Sequence, residues 1–233
     1  MAPALVRAWC KMPTNILVIN PNSTASMTAD IAAAARSKAL PGTQITAVNP
    51  ADGPVSIQGQ EDGQACLPGL FELFDRIVGS SSDFDAVIIA CFDDTGLAEL
   101  KSRSNIPIIG IGEAAFHAAT LVGPKFSTVT TLAVSIPIIE DNIARYGFAN
   151  QSVRVHASNV PVLDIGDETA HFIETKARKA IAEDGCDAIV LGCAGMADLA
   201  DDLSQSLGLP VIDGVTMAVA FCEALTRARA RAA

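Results

Sequence analysis

Seven residues in the middle of the chain recur near its end. Asp85-Ala86-Val87-Ile88-Ile89-Ala90-Cys91 lies on Asp187-Ala188-Ile189-Val190-Leu191-Gly192-Cys193 at a constant shift of 102 residues. Asp, Ala and Cys match outright, and the pairs between them exchange one aliphatic or small residue for another. The register then persists. Ile106-Pro107-Ile108-Ile109-Gly110 answers Leu209-Pro210-Val211-Ile212-Asp213 at a shift of 103, which needs one inserted residue. Agreement across two apolar runs and the segment between them marks a duplicated unit, and so limits the chain to a fold built twice.

Short apolar runs alternate with longer helical patterns along the whole chain, the signature of parallel sheets covered by helices. In the first half the pattern predicts strands over Asn15 to Asn20, Thr43 to Val48, Asp85 to Cys91 and Ile106 to Ile109. Helices are predicted from Ser23 or Thr24 through the alanines to Leu40, over Leu70 to Val78 and near Gly96 to Ser102. Asn49 to Gly63, with Gly53, Pro54, Gly59 and Gly63, reads as a long loop of the kind that borders a site. The second half repeats the series. Strands are expected at Phe126 to Thr131, Val153 to Val155, Asp187 to Gly192 and Leu209 to Ile212. Helices are expected at Ala114 to Leu121, Ile136 to Tyr146, Asp167 to Glu183, Leu199 to Leu207 and Val215 to Arg229. The fold class is therefore α/β, with two pseudo-symmetric lobes, each a parallel sheet flanked by helices. The lobes are expected to span 12–111 and 112–213, the helix of 214–231 packing back on the first. Parallel strands present ligands with their carboxyl ends, so the active site is expected in the cleft between the lobes.

Composition narrows the partners. A chain of 233 residues can bury a substantial core. Half of its residues are hydrophobic and only 5% aromatic, so the core is expected from Ala, Val, Ile and Leu rather than from rings. Asp and Glu outnumber Lys and Arg by 26 to 16, and a formal charge of -10 argues against nucleic acid and anionic membranes as partners. Arg227, Arg229 and Arg231 read as solvated residues favoured by the dipole at a helix C-terminus. No run approaches the roughly 18 apolar residues of a membrane span. Residues 1–11 carry no sustained apolar stretch or cleavage signature, and Met12 is a second candidate start.

Six cysteines, at 10, 66, 91, 186, 193 and 222, contain no Cys-x-x-Cys and suggest a reduced, cytoplasmic setting rather than a disulfide framework. Unpaired cysteine is ordinarily core material, which is the reading for Cys10, Cys66, Cys186 and Cys222. The repeat sets Cys91 and Cys193 apart, because each ends the same strand of its lobe and should face the cleft. A thiol ordinarily ionises near about 8.5, and donors at a strand-to-helix turn are expected to bring it toward neutrality. A thiolate on one face of a carbon acid can remove a proton while a thiol on the other face returns one, which inverts a stereocentre. No metal site is indicated, since His117, His156 and His171 lack compact ligand spacing.

Asn20-Pro21-Asn22-Ser23 closes the first strand and Thr130-Thr131 its counterpart. Amides and hydroxyls suit a neutral amide or imide, whereas a free carboxylate usually asks for Arg or Lys. The alternative role for Asn20 and Asn22 is to satisfy a turn, with substrate binding the preferred reading for Asn20. Asp93 and Asp94 are expected either to cap the helix after Cys91 or to oppose a dianionic substrate.

Asn20-Pro21-Asn22-Ser23-Thr24, Cys91-Phe92-Asp93-Asp94-Thr95-Gly96, Gly112-Glu113-Ala114-Ala115-Phe116 and Leu191-Gly192-Cys193-Ala194-Gly195-Met196 together resemble the hydantoin racemase branch of the aspartate/glutamate racemase superfamily. The resemblance covers nearly all the chain after about Met12. It implies a two-lobed enzyme, in a homo-oligomer, that racemises 5-substituted hydantoins without a cofactor. Cys91 and Cys193 would be its acid/base pair, and Asn20, Ile57, Phe92, Thr130, Thr131, Ala194 and Gly195 its pocket. Allantoin, itself a substituted hydantoin, is an alternative substrate. Amino-acid racemases of the superfamily resemble Cys-Asn-Thr and Cys-Thr-His, where this chain has Phe92-Asp93 and Ala194-Gly195 after its cysteines, which argues against free aspartate or glutamate. Arylmalonate decarboxylases keep only the second cysteine. Maleate isomerases keep both, but no cationic pair lies near these motifs. A non-catalytic two-lobed binder of small amide-rich ligands would need the cleft but not the paired thiols.

Overall fold

A computed structural model describes residues 13–80 and 83–230. Cys10, the candidate start at Met12 and Arg231 lie outside the described residues. In the first half β1 (Asn15–Ile19), α1 (Ala25–Ser37), β2 (Gln44–Val48), α2 (Gln60–Val78), β3 (Ala86–Ile89), α3 (Leu97–Arg103) and β4 (Ile108–Gly110) follow in order. The second half has α4 (Ile111–Val122), β5 (Phe126–Thr130), α5 (Ile136–Arg145), β6 (Ser152–Ala157), α6 (Ala170–Asp184), β7 (Ala188–Gly192), α7 (Ala200–Leu207), β8 (Val211–Asp213) and α8 (Gly214–Ala230). All strands pair in parallel, in two four-stranded sheets of order β2-β1-β3-β4 and β6-β5-β7-β8. The same order in both sheets is the structural form of the sequence repeat.

The repeated Asp has a local explanation. The Asp85 carboxylate accepts the Asn15 amide at 2.8 Å, and the Asp187 carboxylate accepts the Lys125 amide at 3.0 Å. Each Asp thus fastens the first turn of its own strand to the start of the central strand beside it. Its backbone amide completes the tie by donating to the carbonyl of the same residue, at 2.8 Å in both lobes.

Alternation along the strands divides the core into three layers. Ile16, Val18, Ala86 and Ile88 of the first sheet, and Phe126, Ala188 and Val190 of the second, share one cluster with α1, α4 and α8. Leu17, Ile19, Val87 and Ile89 point the other way onto α2 and α3. Val129, Ile189 and Leu191 do the same onto α6 and α7. A slip of one residue would exchange these faces, so the middle helical layer fixes the register of both sheets at once. Helix α8 packs on α4 and α1 and touches strands of both sheets. Among the described residues, no helix is long and apolar enough to cross a membrane.

Several boundaries differ from the sequence expectation. Helix α2 begins at Gln60, ten residues before the expected Leu70, with Gly63 and Pro68 inside it. Its start is fixed by Gly59 in a left-handed conformation (φ +92), by Glu61 and Asp62 in the first turn, and by the Asp62 carboxylate accepting the Gln58 amide at 3.0 Å. The turn formers therefore end a loop of eleven residues, not fifteen. β3 stops at Ile89 rather than Cys91, because the chain peels off its neighbour once the Ala90 amide has bonded to the Ile19 carbonyl. Cys193 leads not into an α-helix but into a 3₁₀ stretch over Ala194–Leu199.

The core is built mainly of Ala, Val, Ile and Leu, as expected, with one cluster of rings inside it. Phe116 of α4 packs edge-on against Phe92 (5.4 Å between centroids), stacks on Phe126 (5.7 Å) and meets Tyr146 at 6.4 Å. These rings come from both halves and join them directly behind the turn that carries Cys91. The start of α4 lies so close to this turn that a Cβ at Gly112 would collide with the carbonyl of Phe92 and approach the Asp94 carboxylate to 2.8 Å. Gly112→Ala is expected to cost about 1–3 kcal/mol, the usual range for overpacking. The check is a urea unfolding midpoint that falls with an unchanged slope; an unaltered midpoint would contradict the packing described.

Candidate active site

The carboxyl ends of the central strands of both sheets meet at a narrow cleft. Asn20 and Asn22 follow β1, Ala90, Cys91, Phe92 and Asp93 follow β3, Thr131 and Ser135 follow β5, and Gly192, Cys193 and Ala194 close β7. Met27, Ile57 and Val162 complete the wall. The loop bearing Ile57 is held over the site from both sides. The hydroxyls of Ser23 and Thr24 donate to the carbonyls of Gly53 (3.1 Å) and Val55 (2.6 Å), while the Gln58 side chain accepts the amide of Val162 at 3.1 Å from the second half.

Cys91 and Cys193 therefore line one cleft, at equivalent ends of β3 and β7. Their surroundings differ. The Cys91 sulfur lies 3.6 Å from the Thr95 hydroxyl and packs with Ile57 and Cys66. The Cys193 sulfur is hydrogen-bonded by the backbone amide of Gly195. Burial pushes the Cys91 thiol well above its ordinary value, helped by the Asp93 charge and opposed by Thr95. Burial pushes Cys193 up to about 12, against the Gly195 amide. The sequence expectation of thiols brought toward neutrality is thus overturned. α3 begins only at Leu97 and has seven residues, and Cys193 faces a 3₁₀ stretch, so neither thiol meets enough aligned amides to offset desolvation.

Asn20 lines the cleft, yet its amide is committed to the turn: Nδ2 donates to Asn22 Oδ1 at 2.9 Å and to Thr28 Oγ1 at 3.0 Å. Asn22 Oδ1 also accepts the Thr24 amide at 2.9 Å. Ile57, Thr131 and Ala194 are on the wall, and Phe92 contributes there while its ring belongs to the aromatic cluster. Thr130 does not reach the cleft; its hydroxyl donates across the sheet to the Gly192 carbonyl at 3.0 Å. Gly195 is likewise off the wall, supplying its amide to Cys193 from behind. Met27, Ser135 and Val162 escaped sequence reasoning, since they come from a helix face and two three-residue 3₁₀ turns too short to show a period. The one available signal was Ser135, four residues after the strand-ending Thr131.

Asp94 does not cap the helix after Cys91. Its carboxylate accepts the amides of Gly112 (3.0 Å) and Glu113 (2.7 Å) at the start of α4, together with the Tyr146 hydroxyl (2.7 Å). Asp93 faces the cleft instead. Burial raises both carboxyls to about 7, opposed by Ser135 at Asp93 and chiefly by Tyr146 at Asp94. No Lys, Arg or His lines the cleft among the described residues.

Two parallel α/β lobes with a thiol from each at a shared cleft define the class of protein. A family model described as Asp/Glu/Hydantoin racemase matches residues 16–222. The chain is 43% identical over 214 residues to the hydantoin racemase of Rhizobium meliloti, covering 91% of this chain and 88% of that protein. It is 38% identical over 213 residues to the hydantoin racemase of Pseudomonas sp. (strain NS671), covering 90% and 85%. Among solved structures, allantoin racemase from Klebsiella pneumoniae superposes with a TM-score of 0.86 at 41% identity, covering 91% of this chain and 87% of that one. The chain belongs to the Asp/Glu/hydantoin racemase family. Within it the chain falls in the hydantoin racemase branch, and it is a racemase.

The raised carboxyls fix a direction for stability. An unfolded Asp releases its proton near pH 4, whereas folded Asp93 and Asp94 hold theirs to about 7. Between those values the folded state binds more protons, so stability falls as pH rises from about 4 to 7. The denaturation midpoint is expected to be lower at pH 8 than at pH 5, and Asp93→Asn is expected to shrink that difference. A midpoint that climbs over this interval would contradict it.

Proposed function

We propose that the chain racemises 5-substituted hydantoins by a two-base proton transfer at C5, Cys91 and Cys193 acting from opposite faces of the ring. One observation carries this reading: two thiols at equivalent strand ends of two like sheets line a single small cleft. One sulfur, as thiolate, takes the C5 proton, and the other, as thiol, gives one to the opposite face. The roles exchange with the enantiomer. The carbonyl beside C5 accepts the electron pair as an enolate, so the substrate carries its own electron sink and the step asks for no organic cofactor. The cleft's polar groups suit the neutral ring amides better than a carboxylate, because no Lys, Arg or His lines the wall among the described residues.

Allantoin is the second substrate this reading admits, since it presents the same ring with a ureido group at C5, and a solved allantoin racemase has a similar fold and sequence. A maleate-isomerase-like reaction ranks below both, as a dicarboxylate would meet Asp93 and no compensating Lys or Arg. A non-catalytic binder leaves the second thiol without a purpose.

Cys91→Ser and Cys193→Ser, made separately, are expected to lose racemisation by about 10²-fold or more, the usual reach of an acid or base. The assay follows optical rotation and deuterium uptake at C5 from each enantiomer, across hydantoins, allantoin and free amino acids. Full racemisation by either single variant would sink the two-base reading. Absence of turnover by the wild type across the panel would favour the binder.

A further inference from the structure

Asp93 is the carboxylate in the cleft wall, and its side chain is half satisfied. Ser135 holds the carboxyl group, and the backbone carbonyl of Asp93 accepts the Asn142 amide at 2.8 Å, both from the second half of the chain. The remaining oxygen, Oδ2, is buried and has no hydrogen-bond partner. Leaving such an acceptor dry costs stability unless something else supplies a donor. The other side-chain carbonyls of the wall are spent within the turn after β1: Asn20 Oδ1 takes the Asn22 amide at 3.3 Å, and Asn22 Oδ1 takes two donors. The wall therefore presents an uncommitted carboxyl oxygen beside both thiols, ionised above about pH 7, and no Lys, Arg or His lines the cleft among the described residues.

We propose that Asp93 is a substrate-binding residue whose free Oδ2 accepts a hydrogen bond from a ring N–H of the substrate, and which by the same charge turns away carboxylates. This rests on the hydantoin racemase reading above. A hydantoin ring offers two N–H donors flanking its carbonyls and carries no fixed negative charge. The product of opening that ring, a carbamoyl amino acid, places a carboxylate where the ring carbonyl stood. Asp93 thus selects the closed ring over its own hydrolysis product. With Ser135 on the carboxyl and Asn142 on the backbone carbonyl of the same residue, Asp93 is positioned before the substrate arrives, and little rotamer freedom is lost on binding.

The test compares a 5-substituted hydantoin with its N1-methyl and N3-methyl derivatives on wild type, Asp93→Ala and Asp93→Asn, with the ring-opened carbamoyl anion as a competitive inhibitor. In the wild type, methylation of one nitrogen is expected to cost roughly 10- to 100-fold in kcat/KM, the worth of a hydrogen bond to a charged group. Asp93→Ala is expected to erase most of that penalty and to raise KM for the parent more than it lowers kcat. Asp93→Asn, nearly the same shape without the charge, is expected to bind the carbamoyl anion roughly tenfold more tightly than the wild type does. A wild type that accepts both methyl derivatives as well as the parent overturns the proposal without needing any variant to fold. So does an Asp93→Asn protein no better inhibited by the anion, or an Asp93→Ala protein that keeps the full methyl penalty. A wild type that turns over neither hydantoins nor allantoin overturns the underlying reading instead, and the two failures are told apart by that first measurement.

Discussion

Asp94 stands three residues past the Cys91 thiol in a left-handed conformation (φ +49), which Asp tolerates better than most residues, and from there lays its carboxyl across the start of α4. Two amides of that helix and the hydroxyl of Tyr146 converge on it. The Cys91-Phe92-Asp93-Asp94 turn belongs to the first sheet by sequence, and Thr95, Ile57 and Cys66 meet its thiol from the same half, but its other residues are held from beyond β4. Asn142 takes the backbone carbonyl of Asp93, Ser135 its carboxyl, and Phe116 the ring of Phe92. The turn that carries the first thiol is thus anchored in both halves of the molecule. Gly112 is small because α4 must come this close.

Much of this was legible in the sequence, for reasons that differ by residue. The strands could be read, but not which of Leu17, Ile19, Val87 and Ile89 or Ile16, Val18, Ala86 and Ile88 faces which helices, since a parallel sheet buried on both faces makes every position apolar. The equivalence of Cys91 and Cys193 followed from the repeat. What escaped was whatever depends on contact between the halves. Asp94 looked like a cap for the next helix because capping is a local habit, whereas its partners lie 18, 19 and 52 residues on. Ser135 and Val162 reach the cleft from 3₁₀ turns too short to show a period. The start of α2 was hidden by Gly63 and Pro68, whose preference for turns is overridden by the acidic first turn and by the burial of Cys66, Leu70, Leu73 and Phe74. Thiol ionisation was misjudged because a strand-to-helix turn counts donors but not desolvation.

The cleft itself is chemically sparse. Its polar side chains are amides, hydroxyls, two thiols and one carboxyl, and several are already bonded to one another. Such a wall distinguishes ligands more by what it refuses than by what it grips: an anion finds no counter-charge among the described residues, and a bulky group finds Met27, Ile57 and Val162 in the way. The arrangement also explains why the loop over residues 49–59 is tied at both ends, to Ser23 and Thr24 on one side and to Val162 on the other. A small site keeps water out only if its roof is fixed to both walls.

The two thiols are equivalent by topology but not by neighbour, one beside the Thr95 hydroxyl and the other beside the Gly195 amide. For an enzyme that interconverts mirror images, the overall equilibrium constant is one, and the Haldane relation then forces kcat/KM to be equal in the two directions. The unequal surroundings of the sulfurs can therefore separate the turnover numbers for the two enantiomers only if they separate the Michaelis constants in the same ratio. On the proposed two-thiol mechanism, duplication supplied a matched pair of acids, and divergence of their neighbours redistributes binding against speed without favouring either hand.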